Sequence, residues 1–464
     1  MRGGRSFLLL LVVALGLGAY IYFVEWERDP MADATAKKDK VFSTESSTYQ
    51  QIDIQAASGE TTTLRKVNGL WEIVAPEAVP TDSSEVGGLL STLDSLEIQS
   101  VVDENPASAA AFGLEPARFS VAFTPEGATA PTRLQIGRKT PTGGDLYARV
   151  EGQPRVFLIS GYLEDSLNKT PFSLRDKTVL KFERDGADTL TIERPGATGM
   201  TFAKKGSDWR FAKPYDAKAD FNLVDGIVGR LSQARMTAIV AADGTKDLKT
   251  YGLDKPQATA TVGEGSTRAT LALGAKHDDG GLYARDLSRP MVFTVEASLL
   301  EELTKAPDDF RKKDLFEFRS FSAVGVDLTV GGQAMTFEKR PAPAPSPSPS
   351  PAAGEEAPPP PADVWKQMKP AEKDIDQSKL VDLLTTMSNL KAETFTEKVP
   401  AGGEEVVLVV RFGDAAAPQT EQVRFRKVGG VVHAVVPGES GAAIVSTSDF
   451  DAALAIAKEL AGLK

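Results

Sequence analysis

The two histidines of the chain are its first candidates for acid–base or metal chemistry. His277 lies in a Lys-His-Asp-Asp-Gly-Gly run typical of a turn, and His433 lies in an apolar segment typical of a strand. Neither has a second His or a Glu at the spacing that places two ligands on one helix face. The chain contains no cysteine, which excludes thiolate metal sites and disulfides. We therefore predict no metal ligand, no cofactor site and no catalytic residue.

Three short motifs resemble parts of known active sites without completing them. The Ser-Leu-Asn-Lys run at 166–169 has the Ser-x-x-Lys spacing of penicillin-recognising enzymes but lacks their companion motifs. The acidic pairs at 278–279 and 374–376 lack the further ligands, the central Gly and the terminal Glu of a calcium loop. No Gly-rich phosphate loop occurs. We predict a protein without catalytic activity, and keep as an alternative an enzyme of unrecognised type built from scattered Asp, Glu and Ser.

A repeated Tyr-Ala-Arg sequence is a candidate ligand platform. Tyr147 and Arg149, like Tyr283 and Arg285, are two residues apart on predicted strands, which places both side chains of a pair on one face. An aromatic ring beside a guanidinium suits sugars or anions. The structural alternative is a Tyr packed at the edge of the core and an Arg paired with an acidic neighbour.

Three tryptophans recur at matching places in the sequence. Trp71, Trp209 and Trp365 each follow a predicted hairpin turn or its replacement. We interpret these tryptophans as buried hairpin anchors. The alternative is that they stack against a ligand.

The spacing of these residues indicates an internal repeat of about 137 residues. Trp71 and Trp209 are 138 residues apart, and both the Gly-Leu-x-Pro turn and the Leu-Tyr-Ala-Arg strand recur in order. A more divergent third copy begins with Met-Thr-Phe-Glu-Lys-Arg at 335–340. Its hairpin turn is replaced by a Pro-rich insertion at 341–363, whose composition predicts a solvated, disordered loop.

The local patterns within one copy predict strands, a helix, more strands and a closing helix. Asn68-Gly69 is a two-residue hairpin signal, and apolar residues at helical spacing follow a cap at Asp82. Short connections favour antiparallel pairing. We predict an α+β fold, a transmembrane helix followed by three repeated, mostly antiparallel α+β units. Their predicted limits are 41–181, 182–318 and 319–464.

One segment is apolar enough to cross a membrane. Residues 7–24 form an uninterrupted apolar run that would span about 27 Å as a helix. Arginines in the stub at 1–6 place the N-terminus in the cytoplasm, and a polar tether follows at 25–40. We expect a single-pass anchor in the inner membrane, with the lipid bilayer as partner and the bulk of the chain periplasmic or extracytoplasmic. The alternative is a cleaved secretory signal.

Composition limits the partners further. The formal net charge is −11 with no long basic run, so nucleic acid is not an expected partner. A hydrophobic content of 41% and a charged content of 25% are those of a globular protein, and the length predicts about three folded units.

With its repeated Trp, Gly-Leu-x-Pro turn and Leu-Tyr-Ala-Arg strand, the chain resembles the bacterial family known as domain of unknown function 4340. The resemblance implies no active-site residues. It implies a role accessory to ABC-type export or gliding-motility-like transporters. The leading hypothesis is a scaffold that binds a protein partner in the envelope, and the alternative is a module that binds cell wall or polysaccharide.

Overall fold

The computed structural model describes residues 39–341 and 363–463. The described residues divide into two compact units, with the boundary between Lys177 and Thr178. Strands make up 42% and helices 22% of the structure, which contains three nine-stranded antiparallel sheets. The predicted α+β class is therefore wrong, and the fold is mostly β. The sequence limits of the three units stay predictions.

The single-pass membrane architecture expected from the sequence is also corrected. No helix within 39–341 or 363–463 is long and apolar enough to cross a bilayer. The predicted anchor at 7–24, the stub at 1–6 and nearly all of the tether at 25–40 lie outside the described residues.

The first sheet lies in the first unit and begins with two hairpins. Its second and third strands meet at Asn68 and Gly69, whose φ angles of 51° and 83° suit a tight two-residue turn. The strand order is β4-β3-β2-β1-β6-β7-β8-β9-β5. The strands are β1 Tyr49–Gln55, β2 Thr61–Val67, β3 Leu70–Ala75, β4 Val79–Pro80, β5 Ser100–Asp103, β6 Phe119–Pro125, β7 Thr132–Lys139, β8 Asp145–Val150 and β9 Val156–Ser160.

A helix covers one face of this sheet. Helix α1 (Ser83–Asp94) starts where the Asp82 carboxylate accepts the backbone N–H groups of Ser84 and Glu85. Its apolar face, including Leu89, packs with Ile52 and other buried strand residues into one core. Two four-residue helices, α2 (Glu164–Leu167) and α3 (Pro171–Leu174), close the unit.

The second sheet has the same strand order and starts the second unit. Its helices are α4 (Phe221–Gln233), capped by Asp220, and the short α5 (Ser298–Leu303). The strands are β10 Thr189–Glu193, β11 Met200–Lys205, β12 Asp208–Lys213, β13 Ala217–Lys218, β14 Ala238–Ala241, β15 Ala258–Glu264, β16 Thr267–Lys276, β17 Leu282–Asp286 and β18 Val292–Val295.

The third sheet repeats that order once more in the second unit. Helix α6 (Gln377–Asn389) and the longer α7 (Thr447–Ala461) pack into its core. Between its second and third strands lies the predicted Pro-rich insertion, of which 342–362 are outside the described residues. The strands are β19 Ala323–Val330, β20 Gln333–Arg340, β21 Val364–Lys369, β22 Lys373–Asp374, β23 Ala392–Thr396, β24 Glu404–Phe412, β25 Gln419–Val428, β26 Val431–Val435 and β27 Ala442–Val445.

In each sheet, two strands that are far apart in sequence pair with each other and so join the two halves of the sheet. In the first sheet β1 pairs with β6, and the register Gln55↔Ser120 joins the hairpins at the start of the copy to the strands at its end. The pairs β10–β15 and β19–β24 do the same in the other sheets. The strand after each main helix then pairs at the far edge, so β5, β14 and β23 are edge strands.

Candidate functional site

The Tyr and Arg of the first copy make internal contacts on β8. The ring of Tyr147 packs against Phe112, with the two centroids 5.0 Å apart. The Arg149 guanidinium donates to Gln135 Oε1 at 2.7 Å and to Glu115 Oε1 at 2.9 Å. These contacts lie within one unit and hold the strand against its neighbours. A ligand platform on this pair stays a prediction.

The corresponding pair of the second copy has different partners. Tyr283 packs against the rings of Tyr251 and His277, with centroids 5.1 and 5.0 Å away. Arg285 Nε donates to the carbonyl of Arg289 at 2.9 Å. His277 lies in the predicted turn, where its Nδ1 is 2.8 Å from Asp279 Oδ1.

His433 occupies the equivalent place in the third sheet. It pairs across the sheet with Ile444, as Tyr147 pairs with Leu158. Its side chain is buried, and its Nδ1 has no hydrogen-bond partner among the described residues. Register thus brings two tyrosines and a histidine to one position in the three sheets.

The three tryptophans differ in exposure. Trp209 and Trp365 are buried in the second and third sheets, at 1% and 3% exposed. Gln377 accepts from the backbone N–H of Trp365 and donates to its carbonyl, both at 2.6 Å. Trp71 of the first sheet is only half-buried and lines a cavity of about 390 Å³. The other walls of this cavity are rich in hydroxyl groups: Ser43, Thr44, Ser46 and Ser47.

A second cavity, of about 490 Å³, lies beside Trp209 within the second unit. Three segments build it: the β11–β12 hairpin, the start of α4 and the chain that leads into the third sheet. Cationic, anionic and aromatic side chains line it, and we call this site the Trp209 cleft. Its lining residues are Lys205, Asp208, Trp209, Arg210, Lys218, Ala219, Asp220, Phe221, Asn222, Lys312, Asp314 and Glu317.

Glu317 is the most strongly perturbed carboxylate of the cleft. Its Oε1 accepts from Lys218 Nζ at 2.8 Å and from Lys312 Nζ at 2.7 Å. These hydrogen bonds to the charged form lower the pKa of Glu317 from 4.5 to about 2. Glu421 holds the backbone in place by accepting the N–H groups of Glu317 and Phe318. The carboxylate is therefore ionised at neutral pH.

Next to the cleft, Arg311 joins the second and third sheets. Its side chain is 6% exposed, stacks over the ring of Phe395 at 3.8 Å and donates to the carbonyl of Ser440 at 3.1 Å. Glu439 lies 3.9 Å away as its counter-charge. Burial raises the pKa of Glu439, and burial lowers the pKa of Arg311. We call this contact the Arg311 joint.

Residues of the Ser-x-x-Lys run and of the two acidic pairs make structural contacts. Lys169 of the Ser-x-x-Lys run forms an ion pair with Glu85 at 2.8 Å. Asp376 caps α6, and a hydrogen bond from the Ser378 side chain lowers its pKa. A backbone hydrogen bond from Gly281 lowers the pKa of Asp279. Within 39–341 and 363–463, no group of three or more His, Cys, Asp or Glu residues is placed to hold a metal ion.

Comparison with known proteins gives one family. The profile described as "Domain of unknown function (DUF4340)" matches twice, over residues 71–210 and 209–405. The chain belongs to the DUF4340 family. The resemblance found in the sequence is thereby confirmed. No curated protein and no solved structure matches it.

The two DUF4340 matches are offset from the sheets. They begin at Trp71 and at Trp209, which lie on the third strand of the first and second sheets. Each match therefore runs from the middle of one sheet into the next.

Sequence reasoning missed the residues that build the Trp209 cleft and the Arg311 joint in this DUF4340 protein. One signal was present: the Arg at 175 and the Arg at 311 align at the end of the first and second copies. An Arg that recurs where one copy ends indicates a role at the junction. The pairing of Lys218 with Glu317 had no such signal, because 99 residues separate the two in sequence.

Proposed function

We propose that this DUF4340 protein is a non-enzymatic scaffold that holds a segment of a partner protein in the Trp209 cleft. The observation that carries the proposal is the state of Glu317, whose carboxylate is fixed between two lysines. A carboxyl that transfers protons near neutral pH needs a raised pKa, whereas the pKa of Glu317 falls to about 2. The cleft supplies fixed charges for recognition rather than a group poised for acid–base chemistry.

The aromatic residues of the cleft support binding of a protein. Phe221 is 42% exposed at the first turn of α4, beside the charged walls. Aromatic and Arg side chains dominate the energetics of protein interfaces, and exposed large apolar residues beside polar rims mark such sites. Lys205 and Asp208, on either side of the turn of the β11–β12 hairpin, complete the rim.

A photoreactive residue at position 222 tests the proposal in the full chain. We expect a discrete adduct with a protein from position Asn222, and none from Gln419 on β25, a control position that is also exposed. Phe221→Ala should lower the yield of adduct about tenfold, as expected for loss of an interface anchor. Equal adducts from both positions, or a yield indifferent to Phe221→Ala, would contradict the proposal.

The resemblance found in the sequence supports one place to look for the partner. It implies an accessory role beside ABC-type export or gliding-motility-like transporters, so components of such a complex are the first proteins to compare with the adduct. This finer assignment rests on the resemblance alone.

A second candidate function is binding of cell-wall glycan in the Trp71 cavity. The observation that favours it is the exposure of Trp71 beside a wall of hydroxyl groups, since sugars stack on aromatic faces and exchange hydrogen bonds with such groups. Purified peptidoglycan should pellet the wild-type chain but release Trp71→Ala. Tyr147→Ala and Tyr283→Ala test the predicted Tyr and Arg platform in the same assay. They should reduce pelleting only if the platform, rather than the Trp71 cavity, binds the glycan. If the wild-type protein does not pellet, both glycan sites are eliminated.

A further inference from the structure

We infer that the Trp209 cleft binds a glutamine side chain of the partner segment, in the place that Gln377 occupies in the third sheet. The inference rests on the proposed scaffold function and names the chemical group that the cleft recognises. It comes from the third sheet, where a side chain of the protein itself fills the equivalent position.

In the third sheet, the Gln377 side chain bonds to both backbone polar groups of Trp365. Its Oε1 accepts from the Trp365 N–H and its Nε2 donates to the Trp365 carbonyl, both at 2.6 Å. A carboxamide carries a donor and an acceptor like those of a peptide group. It can therefore exchange two hydrogen bonds with one strand residue, as a paired antiparallel strand does.

The second sheet presents the same backbone edge at Trp209. Trp209 pairs across the sheet with Lys204. Trp365 pairs with the equivalent lysine of the third sheet, Lys339. Each lysine also lies over the indole ring of its partner, with Nζ 5.6 Å and 5.9 Å from the ring centroid. The Trp209 carbonyl accepts from the Ala219 N–H at 3.1 Å and keeps a second acceptor site for a ligand.

A phenylalanine takes the place of this glutamine in the second sheet. The first residue of the helix after the capping aspartate is Gln377 in α6 and Phe221 in α4. A phenyl ring has no hydrogen-bonding atom, and Phe221 is 42% exposed. The cleft of about 490 Å³ opens at this position, since Trp209, Ala219, Asp220 and Phe221 all line it.

The charges of the cleft favour a neutral ligand. Its lining contains four cationic and four anionic residues. Ion pairs within the chain already hold most of them: Glu317 with Lys218 and Lys312, Arg210 with Asp216, and Asp314 with Lys391. A charged ligand would compete with these pairs, whereas a carboxamide brings a donor and an acceptor without a net charge.

The sequence outside the described residues does not supply such a side chain. Residues 1–38 and 342–362 contain neither Gln nor Asn, and residue 464 is a lysine. The carboxamide is therefore expected from another molecule, in agreement with a protein partner.

A peptide titration of the full chain labelled with fluorotryptophan tests the inference by fluorine NMR. The chain has four tryptophans, and a Trp209→Phe sample assigns the signal of Trp209. The probe is Gly-Ser-Gln-Ser-Gly with blocked ends, and we expect it to shift that signal. Peptides with Met or Glu in place of Gln should bind about tenfold more weakly, because neither offers the carboxamide donor.

Two substitutions at the exposed first position of α4 form a matched pair. Phe221→Gln gives the second sheet the residue of the third and should fill the site from within. We expect it to weaken binding of the Gln peptide about tenfold and to slow hydrogen exchange of the Trp209 amide. Phe221→Met keeps a long apolar side chain without a carboxamide, so it should bind the peptide like the wild type and leave that exchange unchanged.

Three results would overturn the inference. The first is equal binding of the Gln and Met peptides, and the second is an equal effect of Phe221→Gln and Phe221→Met. The third is an adduct from position 222 that joins two copies of the chain, since a second copy would then supply the glutamine.

The outcome is separable from that of the scaffold proposal. If the Asn222 adduct forms with a protein but the Gln peptide does not bind, the glutamine inference alone fails. If the Gln peptide binds but no adduct with a protein forms, the cleft recognises a carboxamide and the scaffold proposal fails.

Discussion

Glu317 couples the charge state of the Trp209 cleft to pH. Its pKa is about 2 in the folded protein, against 4.5 for an ordinary Glu. A folded-state pKa below the unfolded value gives stability that is complete above about pH 4.5 and is lost as pH falls towards 2. We predict that Glu317→Gln lowers the free energy of unfolding by about 1 kcal/mol at pH 7, because the ion pairs are half exposed.

Urea unfolding followed by tryptophan fluorescence from pH 2.5 to pH 7 checks this prediction. The difference between wild type and Glu317→Gln should shrink as the carboxylate is protonated. The matched control is Glu338→Gln, which removes a surface ion pair with Arg340 outside the cleft. A difference that is constant over the pH range would show that the lysines do not act on the ionised carboxylate.

Arg311 is expected to be sensitive to substitution. Removing one partner of a buried ion pair leaves the other charge uncompensated, at a cost of about 3–5 kcal/mol. Glu439 is that partner, and burial already raises its pKa. We predict that Arg311→Met lowers the urea midpoint strongly and that adding Glu439→Gln restores part of it. If the double variant were no more stable than the single one, loss of stacking on Phe395 would explain the effect instead.

At the scale of elements, the β20–β21 hairpin accommodates the Pro-rich insertion. Arg340, the last residue of β20, pairs with Val364, the first residue of β21. The two strands therefore stay paired right up to the insertion. Loop closure costs roughly 0.6 kcal/mol for each doubling of length. We predict that replacing 341–363 with Gly-Ser, the two residues that connect the corresponding strands β11 and β12 of the second sheet, stabilises the third sheet by about 2 kcal/mol. Thermal unfolding measures it. A destabilised variant would indicate contacts made by the insertion.

Local elements could be predicted from the sequence, but their long-range pairing could not. The hairpin at Asn68 and the helix after Asp82 lie where turn and capping signals placed them. The α+β class was wrong because β4 and β5 have only two and four residues, and the closing helices of the first copy have four each. The β1–β6 pairing joins residues far apart in sequence, which no local pattern records.

For the candidate site residues, too, the local position on a strand could be predicted but the long-range partners could not. Alternation predicted that Tyr147 and Arg149 share a face, and both are half-buried at alternate positions of β8. Their partners, Phe112 and Glu115, come from the loop before β6, so sequence left open whether the pair binds a ligand or its own sheet. The Trp209 cleft lay beyond prediction because three distant segments build it.

At the scale of the whole molecule, the boundary between Lys177 and Thr178 differs from the junction of the second and third sheets. The first unit has its own core, which runs from Phe42 to Leu174. The second and third sheets share one unit and the Arg311 joint. The second and third sheets therefore lie in one compact unit, with Arg311 buried between them.

This difference predicts how fragments of the chain behave. Residues 39–177 expressed alone should unfold cooperatively and give the circular dichroism of an antiparallel β protein, because their core is complete. A fragment of 178–313, which ends before the third sheet, should lose stability, because Arg311 would no longer stack on Phe395 or donate to Ser440. In this fragment Arg311→Met should have little further effect, whereas it is strongly destabilising in 178–464. A full effect of Arg311→Met in the short fragment would place the role of this arginine inside the second sheet rather than at the junction.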